Sequence, residues 1–212
     1  AVLAKRPGRA LVTAPAFGEY EAALALAGCG IDCFFLRESE DFMLGESFLE
    51  AITPDTDMVF LCQPNNPTGR TIPRTLLCAV LERCRAAKAL LVVDECFCGL
   101  LDQPETFTMK GLLGEHPNLL ILKAFTKLYA MAGLRLGYCV CGDAALLDAM
   151  RGAGQPWAVS GPAQAAGIAA LRETQYVQAV RGLVARERPR LAGELSRRGF
   201  RVIPGEANYL LF

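Results

Sequence analysis

The sequence predicts an α/β fold, in which a mostly parallel sheet flanked by helices is followed by the start of a smaller α+β domain. Short apolar runs of strand length alternate with helical patterns at a spacing of about 30 residues, which is typical of βαβ units. After Gly142 this alternation ends and mostly helical patterns follow. We therefore expect a partial large domain at residues 1–155 and part of a second domain at residues 156–212.

Six apolar runs are predicted to form the strands of the large domain. They are short and continuously apolar, as expected for strands that are covered on both faces. The runs are residues 10–13, 31–36, 58–63, 89–94, 119–122 and 137–141. Residues 201–203 and 209–212 have strand patterns that belong to the second domain. No partner strand follows the last of them and the chain also starts abruptly, so we expect a chain that is truncated at both ends.

Amphipathic patterns predict helices between and after these strands. The clearest covers residues 73–87, where the apolar side chains fall on one face of the helix. The other helices are predicted at residues 20–27, 144–151, 163–173 and 175–198. Asp143 is a suitable N-cap for the helix that follows it, and Gly199 is a suitable C-cap for the last helix. Pro189 is expected to kink that last helix.

The composition argues against several classes of protein. The 212 residues are 52% hydrophobic, which is sufficient for one substantial core. The 22 basic residues balance 22 acidic ones, so no net field attracts nucleic acid or an anionic membrane. No apolar run approaches the roughly 18 residues of a membrane span, and the first residues lack the apolar region of a secretory signal. We therefore expect a cytoplasmic protein that binds neither nucleic acid nor membranes.

The chain contains nine cysteines but only one histidine, His116. It has no C-x-x-C motif, and zinc sites in proteins are built mainly from such cysteine pairs and from histidines. Two cysteine pairs, Cys96/Cys98 and Cys139/Cys141, are two residues apart, so each pair would share one face of a strand. The sequence therefore predicts reduced, buried thiols and no metal site.

Polar residues follow three of the predicted strands at the point where each strand ends. Asn66 lies in the turn sequence Asn-Asn-Pro-Thr-Gly after the third strand, Asp94 ends the fourth, and Lys127 follows the fifth. Ligands of open parallel sheets bind beyond the carboxyl ends of the strands, so these side chains are expected to converge on one rim. Asn66 can donate a hydrogen bond to a phenolic oxygen, although Asn-Pro-x-Gly is also an ordinary turn.

Asp94 ends an apolar strand, where an unpaired carboxylate would be costly to desolvate. A functional partner would be a protonated nitrogen in a heterocyclic ligand. The alternatives are a helix N-cap or a structural ion pair. Phe17 follows the first strand and can stack on a flat ring, but a lone aromatic side chain is equally compatible with a place in the core.

The loop from Lys123 to Gly137 combines an amine, a hydroxyl group and a guanidinium group. An amine can form a Schiff base with an aldehyde cofactor, and Thr126 and Arg135 can hold a phosphate. Lys127 is predicted to be the reactive amine, because burial in its apolar loop would favour a neutral nucleophile. Lys123 is expected to be a solvated surface lysine. For Arg135 the alternative is an ion pair with Asp or Glu.

Together these residues resemble the fold-type I enzymes that use pyridoxal 5′-phosphate, and within them the class I/II aminotransferases. The resemblance covers essentially the whole chain. The matching motifs are Pro64-Asn65-Asn66-Pro67-Thr68-Gly69, Asp94-Glu95-Cys96-Phe97, and Thr126-Lys127 with Gly133-Leu134-Arg135-Leu136-Gly137-Tyr138.

By this resemblance the cofactor is pyridoxal 5′-phosphate, and Lys127 is the catalytic residue that bonds covalently to its aldehyde. The resemblance assigns the other cofactor contacts to Asp94 (ring nitrogen), Asn66 (ring hydroxyl oxygen), Thr126 and Arg135 (phosphate) and Phe17 (ring face). The family's phosphate-cup loop and its substrate-binding arginine are expected outside residues 1–212. Ala124 stands where relatives often have a serine near the phosphate.

Within the family, the segments that carry the resemblance look most like those of threonine-phosphate decarboxylases of cobalamin synthesis and of histidinol-phosphate aminotransferases. Phe97 stands where many aminotransferases have a tyrosine, which favours the decarboxylase branch. The resemblance then implies that the substrate is a small phosphorylated amino acid, L-threonine O-3-phosphate, and that the product of its decarboxylation is aminopropanol phosphate. A histidinol-phosphate or related aminotransferase is the alternative, and a non-catalytic fragment of this fold is a second one. Relatives are homodimers, so a homodimer is expected.

Overall fold

Six strands form one sheet, and their order across the sheet differs from their order along the chain. The computed structural model describes residues 8–212, so the abrupt start expected at residues 1–7 lies outside the described residues. The strands are β1 (Arg9–Ala14), β2 (Gly30–Phe35), β3 (Met58–Cys62), β4 (Leu90–Asp94), β5 (Leu119–Ala124) and β6 (Gly137–Cys141). Their order is β2-β1-β3-β4-β5-β6, and each lies close to its predicted position.

The first five strands are parallel, which confirms the predicted mostly parallel sheet. Parallel neighbours need a long crossover, because the chain must return to the same end of the sheet before the next strand. Residues 125–136, between β5 and β6, contain only short helical turns. The chain therefore turns back directly, and β6 pairs antiparallel with β5.

Helices flank the sheet and continue after it. They are α1 (Glu19–Leu26), α2 (Phe48–Ala51), α3 (Arg74–Ala87), α4 (Pro104–Phe107), α5 (Phe125–Leu128), α6 (Ala144–Ala153), α7 (Gly161–Ala170) and α8 (Thr174–Arg197). The single-turn helices α2, α4 and α5 were not expected, because one turn is too short to show a helical period in the sequence. Asp143 caps α6 as predicted, since its carboxylate accepts hydrogen bonds from the backbone of Ala145 and Leu146.

Alternation along β4 shows how the core is divided between the two faces of the sheet. Leu91 and Val93 pack in the same cluster as Leu77 of α3, whereas Val92 packs in the cluster of Leu24 from α1. Successive side chains of a strand point to opposite faces, so the carboxylate of Asp94 follows Val92 toward the α1 face. This places Asp94 beside the first turn of α1.

The part of the chain after residue 156 departs from the predictions in its details. Helix α7 ends at Ala170, before the predicted limit of residue 173. Helix α8 continues through Pro189, and Gly199 follows it with φ +88°, as expected of a glycine at a helix end.

The two predicted C-terminal strands reduce to a single bridge between Ile203 and Leu211, so the prediction of strands at 201–203 and 209–212 is wrong in extent. The physical reason is that the backbone between them bonds elsewhere. The amide of Glu206 donates to the carbonyl of Gly69, in the turn after β3, at 2.8 Å.

Two arginines of α8 contact the segment that follows β4. Arg181 Nε donates to the carbonyl of Gly99 at 2.8 Å, and the guanidinium of Arg188 lies 3.6 Å from the carboxylate of Asp102. Arg188 also donates to the carbonyl of Glu206, in the C-terminal segment, at 2.6 Å. The predicted boundary between residues 155 and 156 falls in the loop that joins α6 to α7, and the division into two domains stays a prediction.

The nine cysteines are free thiols. Cys139 and Cys141 both lie in β6 and share one face, as predicted. The shared strand face predicted for Cys96 and Cys98 is wrong, because β4 ends at Asp94 and Cys98 begins a short 3₁₀ turn. The predicted burial is found for three of the nine, while Cys33 is exposed and the other five are partly buried. The buried ones are Cys62, Cys84 and Cys98.

Within residues 8–212, no helix combines the length and apolar character needed to cross a membrane. The same residues contain no group of three or more His, Cys, Asp or Glu side chains placed to hold a metal ion.

Lys123 forms a buried ion pair with Glu95, so the expectation of a solvated surface lysine is wrong. The nitrogen–oxygen distance is 2.6 Å, and the side chains are 21% and 0% exposed. Glu95 also accepts hydrogen bonds from the hydroxyl of Thr108 and the backbone amide of Met109, each at 2.7 Å. Lys123 lies two residues after Ile121 in β5, so both side chains point to the same face of the sheet. Ile121 packs in the core on the α3 side, and Lys123 therefore points to that side too.

Replacing Lys123 with methionine should destabilise the fold, because it leaves the Glu95 carboxylate buried without a counter-charge. We expect a loss of about 3–5 kcal/mol in the free energy of unfolding, measured by urea denaturation. The matched control is Lys110→Met at an exposed lysine, which should change stability by less than about 0.5 kcal/mol. Equal, small effects of both variants would contradict the structural role of the pair.

The same pair predicts a loss of stability at alkaline pH. Burial lowers the pKa of Lys123, but attraction to Glu95 and a hydrogen bond with it outweigh burial and raise the pKa above its ordinary value of 10.5. A raised pKa gives stabilisation that is complete below the unfolded-state value and is lost as the pH rises through the folded-state value. The stability difference between wild type and Lys123→Met should therefore be constant up to about pH 10 and shrink above it. A difference that stays constant in the alkaline range would exclude this linkage.

Candidate functional site

A cavity lined by polar side chains lies beyond the carboxyl ends of β1, β3, β4 and β5. Its volume is 420 Å³, within the usual range for small-molecule sites. Within the sheet, β2 lies beside one edge of β1 and β3 lies beside the other. The strand order therefore reverses direction between β1 and β3, and the cavity lies at this topological switch point. All six predicted site residues line it: Phe17, Asn66, Asp94, Thr126, Lys127 and Arg135.

The turn that presents Asn66 is held by its neighbour, Asn65. The buried Asn65 side-chain amide donates to the carbonyl of Pro15, after β1, at 3.1 Å and to the hydroxyl of Thr68 at 3.0 Å. Gly69 closes the turn with φ +70°, and its amide donates to the Asn65 carbonyl at 2.7 Å. Asn65 therefore joins two strand ends, and Asn66 is left to face the cavity.

The carboxylate of Asp94 is half-buried and already accepts two hydrogen bonds. Its Oδ1 accepts from the backbone amide of Cys96 at 2.9 Å, and its Oδ2 accepts from the hydroxyl of Tyr20 at 2.6 Å. A carboxylate has about four acceptor positions, so it can still accept a hydrogen bond from a ligand in the cavity. Neither alternative from the sequence applies here, since no cation or helix start uses this carboxylate within residues 8–212.

Lys127 lies in the single-turn helix α5 and is exposed, so the predicted burial of its side chain is wrong. Its amine lies 5.2 Å from the centre of the Phe97 ring, which is a cation–π contact. The apolar residues of the loop, such as Phe125, turn inward, whereas the amine projects into the open cavity. Lys123, the other lysine of the loop, is committed to Glu95 on the α3 side and does not line the cavity.

Arg135 is exposed and forms no ion pair with Asp or Glu in the described part of the chain, so the predicted alternative for it is not observed. Its guanidinium donates to the carbonyl of Ala132 at 3.3 Å. Its backbone has φ +51°, a left-handed conformation that is uncommon for a residue other than glycine. The remaining guanidinium donors are available to an anion in the cavity.

The base of the loop that carries Lys127 and Arg135 is closed by the sheet. Ala124 and Gly137 pair at the ends of β5 and β6, and the Phe125 amide donates to the carbonyl of Leu136 at 3.1 Å. The two cationic groups therefore share one loop with fixed ends. They lie in the same cavity as the carboxylate of Asp94, which gives the cavity both a cationic and an anionic side.

Phe17 is 44% exposed and lies at the cavity rather than in the core, so its ring is available to a ligand. The edge of its ring contacts Tyr20 at a centroid distance of 5.6 Å. Two cysteines also line the cavity, and neither is a nucleophile at neutral pH. Burial raises the pKa of Cys62 to about 12, and burial together with the charge of Asp94 raises the pKa of Cys96.

Sequence reasoning missed two residues that shape this site. Tyr20 was expected only as the start of a helix, and Tyr209 only as part of a strand. Tyr209 donates to the carbonyl of Asn65 at 2.9 Å and contacts the Phe97 ring edge-on. Tyr20 could have been suspected from its place three residues after Phe17, in the first turn of a helix that follows a strand end. No local signal marks Tyr209, because its partners lie far away in the sequence.

The residues of the cavity fit a phosphorylated pyridine aldehyde. An amine is present for the aldehyde, a carboxylate for a protonated ring nitrogen, an amide for a ring oxygen, a guanidinium for a phosphate, and an exposed aromatic ring for the flat face. All of these groups border one cavity of sufficient volume.

Similarity to curated proteins agrees with this chemistry. The chain is 40% identical over 207 residues to the threonine-phosphate decarboxylase of Salmonella typhimurium, covering 97% of this chain and 56% of that protein. It is 34% identical over 211 residues to the histidinol-phosphate aminotransferase of Methanosarcina mazei, covering 99% of this chain and 54% of that protein. The chain thus spans about half the length of the curated relatives it matches.

Solved structures share the fold. The histidinol-phosphate aminotransferase of Clostridium acetobutylicum superposes with a TM-score of 0.90 at 26% identity, covering 97% of this chain and 61% of that one. An aspartate aminotransferase of Thermus thermophilus superposes with a TM-score of 0.85 at 27% identity, covering 96% of this chain and 55% of that one.

The family of class I and II aminotransferases matches residues 1–212, the entire sequence. Enzymes of this family depend on pyridoxal phosphate, the cofactor for which the cavity provides suitable groups. Family, relatives and fold agree, and the chain belongs to the class I and II aminotransferase family of pyridoxal-phosphate enzymes.

Proposed function

We propose that the protein removes the carboxylate of a phosphorylated amino acid, converting L-threonine O-3-phosphate to aminopropanol phosphate in cobalamin biosynthesis. The observation that carries the cofactor part of this proposal is the convergence of Asn66, Asp94, Lys127 and Arg135 on one cavity. The 40% identity with a threonine-phosphate decarboxylase supports the choice of reaction.

Six of the residues that line the cavity have a proposed role in holding the cofactor. Pyridoxal phosphate, when bound, accepts the electron pair that is left at the substrate Cα when a bond there breaks. Lys127 supplies the amine that bonds to the cofactor aldehyde and later binds or releases a proton. The other contacts are proposed for Asp94 (ring nitrogen), Asn66 (ring hydroxyl oxygen), Thr126 and Arg135 (phosphate) and Phe17 (ring face).

In the proposed reaction the bond between Cα and the carboxylate breaks, and carbon dioxide leaves. A proton must replace it at Cα, and the Lys127 amine is the proton donor placed in the cavity. Asp94 keeps a negative charge at the ring nitrogen, which favours the protonated ring. Arg135 and Thr126 would hold the phosphate end of the bound cofactor and so keep it in place in the cavity.

Phe97 supports the decarboxylase over an aminotransferase. Its ring lies 5.2 Å from the Lys127 amine and carries no hydroxyl group, whereas many aminotransferases of the family have tyrosine there. Ala124, which also lines the cavity, cannot supply the hydroxyl contact of a serine. The cofactor would therefore be held by fewer hydroxyl donors than in many relatives.

The second candidate is a histidinol-phosphate or related amino-acid aminotransferase, which the 34% identity with such an enzyme favours. The third is a protein that kept the fold without the chemistry. We also propose a homodimer in the cytoplasm, with the phosphorylated amino acid as its small-molecule partner. The homodimer and the location are proposed from the family, and the substrate class is proposed from the names of two relatives, a threonine-phosphate decarboxylase and a histidinol-phosphate aminotransferase.

The cofactor assignment predicts a colour that depends on Lys127. Protein made from its natural gene and loaded with pyridoxal phosphate should absorb at the edge of the visible range, and Lys127→Ala should lose this band because the covalent bond is gone. Lys110→Ala, at an exposed lysine away from the cavity, is the matched control and should keep it. A band that persists in Lys127→Ala, or is missing from the wild type, would rule out Lys127 as the covalent residue.

The choice of reaction is tested with two substrates side by side. With L-threonine O-3-phosphate labelled in the carboxylate, we expect release of labelled carbon dioxide. With histidinol phosphate and 2-oxoglutarate, we expect no formation of glutamate. The reverse result would establish the aminotransferase, and neither product from a coloured, cofactor-loaded protein would support the non-catalytic alternative.

A further inference from the structure

Tyr20 is a buried residue that has no part in the proposed function described above. It lies in the first turn of α1 and is 8% exposed. Its hydroxyl donates to Asp94 Oδ2 at 2.6 Å, a short hydrogen bond of the kind that charged acceptors form. Its ring separates the 420 Å³ cavity from an apolar groove of 310 Å³ on the α1 face, since it lines both.

Aromatic contacts fix the ring of Tyr20 independently of Asp94. It stacks on Phe60 of β3 at a centroid distance of 5.4 Å and an interplanar angle of 25°. It also meets the edge of Phe17 at 5.6 Å. The hydroxyl is therefore held by the sheet and by α1, and its position does not rely on the carboxylate to which it donates.

Two donors from different elements define the orientation of the Asp94 carboxylate. The Cys96 backbone amide binds Oδ1 and the Tyr20 hydroxyl binds Oδ2. Each carboxylate oxygen accepts about two hydrogen bonds, so one position on each oxygen stays available. The Tyr20 hydroxyl is thus a donor from a separate element that restrains rotation of the carboxylate about the bond to its Cβ.

Tyr20 is also a neutral donor. Burial, the neighbouring Cys62 and the charge of Asp94 all raise the pKa of Tyr20, so the phenol keeps its proton. A neutral donor stabilises the ionised carboxylate without cancelling its charge, whereas a cationic partner such as arginine would compensate it. The negative charge of Asp94 is thus left for a cation in the cavity.

We propose that Tyr20 is a positioning residue that aims the Asp94 carboxylate at the cofactor ring nitrogen and thereby sets how fully that nitrogen is protonated. This inference rests on the proposed function, because it requires the cofactor ring to lie against Asp94. Tyr20 itself does not touch the ring nitrogen. It acts on the electron-accepting capacity of the cofactor through the direction and charge of one carboxylate.

The test uses the protein from its natural gene, loaded with pyridoxal phosphate that carries ¹⁵N at the ring nitrogen. Tyr20→Phe keeps the ring contacts and removes only the hydroxyl. We expect its ¹⁵N signal to move toward the unprotonated value and its cofactor dissociation constant to rise about tenfold. The matched control is Tyr129→Phe, because the Tyr129 hydroxyl makes no hydrogen bond within residues 8–212 and its ring does not line the cavity.

A second variant covers the case in which Tyr20→Phe does not fold. Site-specific replacement of Tyr20 by 3,5-difluorotyrosine preserves the shape of the ring and makes the hydroxyl a stronger donor. The ¹⁵N signal should then move in the opposite direction, toward the protonated value. A purely structural role would not produce shifts of opposite sign from these two variants.

The outcomes separate this inference from the proposed function. A wild type without the Lys127-dependent band would refute the proposed function, and this inference with it. A normal wild type in which both Tyr20 variants leave the ¹⁵N signal unchanged would overturn this inference alone. The same conclusion would follow if Tyr129→Phe shifted the signal as much as Tyr20→Phe.

Discussion

The parallel register of β3, β4 and β5 is the constraint on which the site depends. Cys62 pairs with Asp94, and Asp94 pairs with Leu122, so β3 and β4 end at one level of the sheet and β5 ends two residues later, at Ala124. The loops that follow must then open on the same edge, whatever their own sequences. A shift of one residue in β4 would turn Asp94 to the opposite face, away from α1 and from the cavity.

The burial of ionisable groups around this edge is compensated by partners on separate elements. Glu95 is fully buried and is balanced by Lys123 from the neighbouring strand, whereas Asp94 receives only neutral donors. Two adjacent carboxylates in the sequence thus have different electrostatic roles. The charge of Asp94 has no cationic partner within residues 8–212, whereas the charge of Glu95 is neutralised by Lys123. The difference arises because successive residues at a strand end face opposite sides of the sheet.

The sequence was sufficient to predict the mostly parallel sheet, all six strands and six of the residues that line the cavity. These features depend on local patterns, such as apolar runs and polar residues at strand ends. Lys123 and the C-terminal strands were predicted wrongly because their environment is set by distant residues: Glu95 follows a different strand, and the backbone near Glu206 bonds to the turn at Gly69. The contact of Tyr20 with Asp94 has a sequence separation of 74 residues, so the place of Tyr20 near Phe17 could suggest a role in the site but not this partner.

The close approach of Gly69 and Gly205 has a consequence for the way this sequence can change. A Cβ built on Gly69 would lie 3.3 Å from the Cα of Gly205, and one built on Gly205 would lie 3.1 Å from the Cα of Gly69. Where two side chains touch, a larger residue on one side can be accommodated by a smaller one on the other. Two glycines have no side chain left to reduce, so a larger residue at either position can be accommodated only by a shift of the facing backbone, and each position restricts substitution at the other.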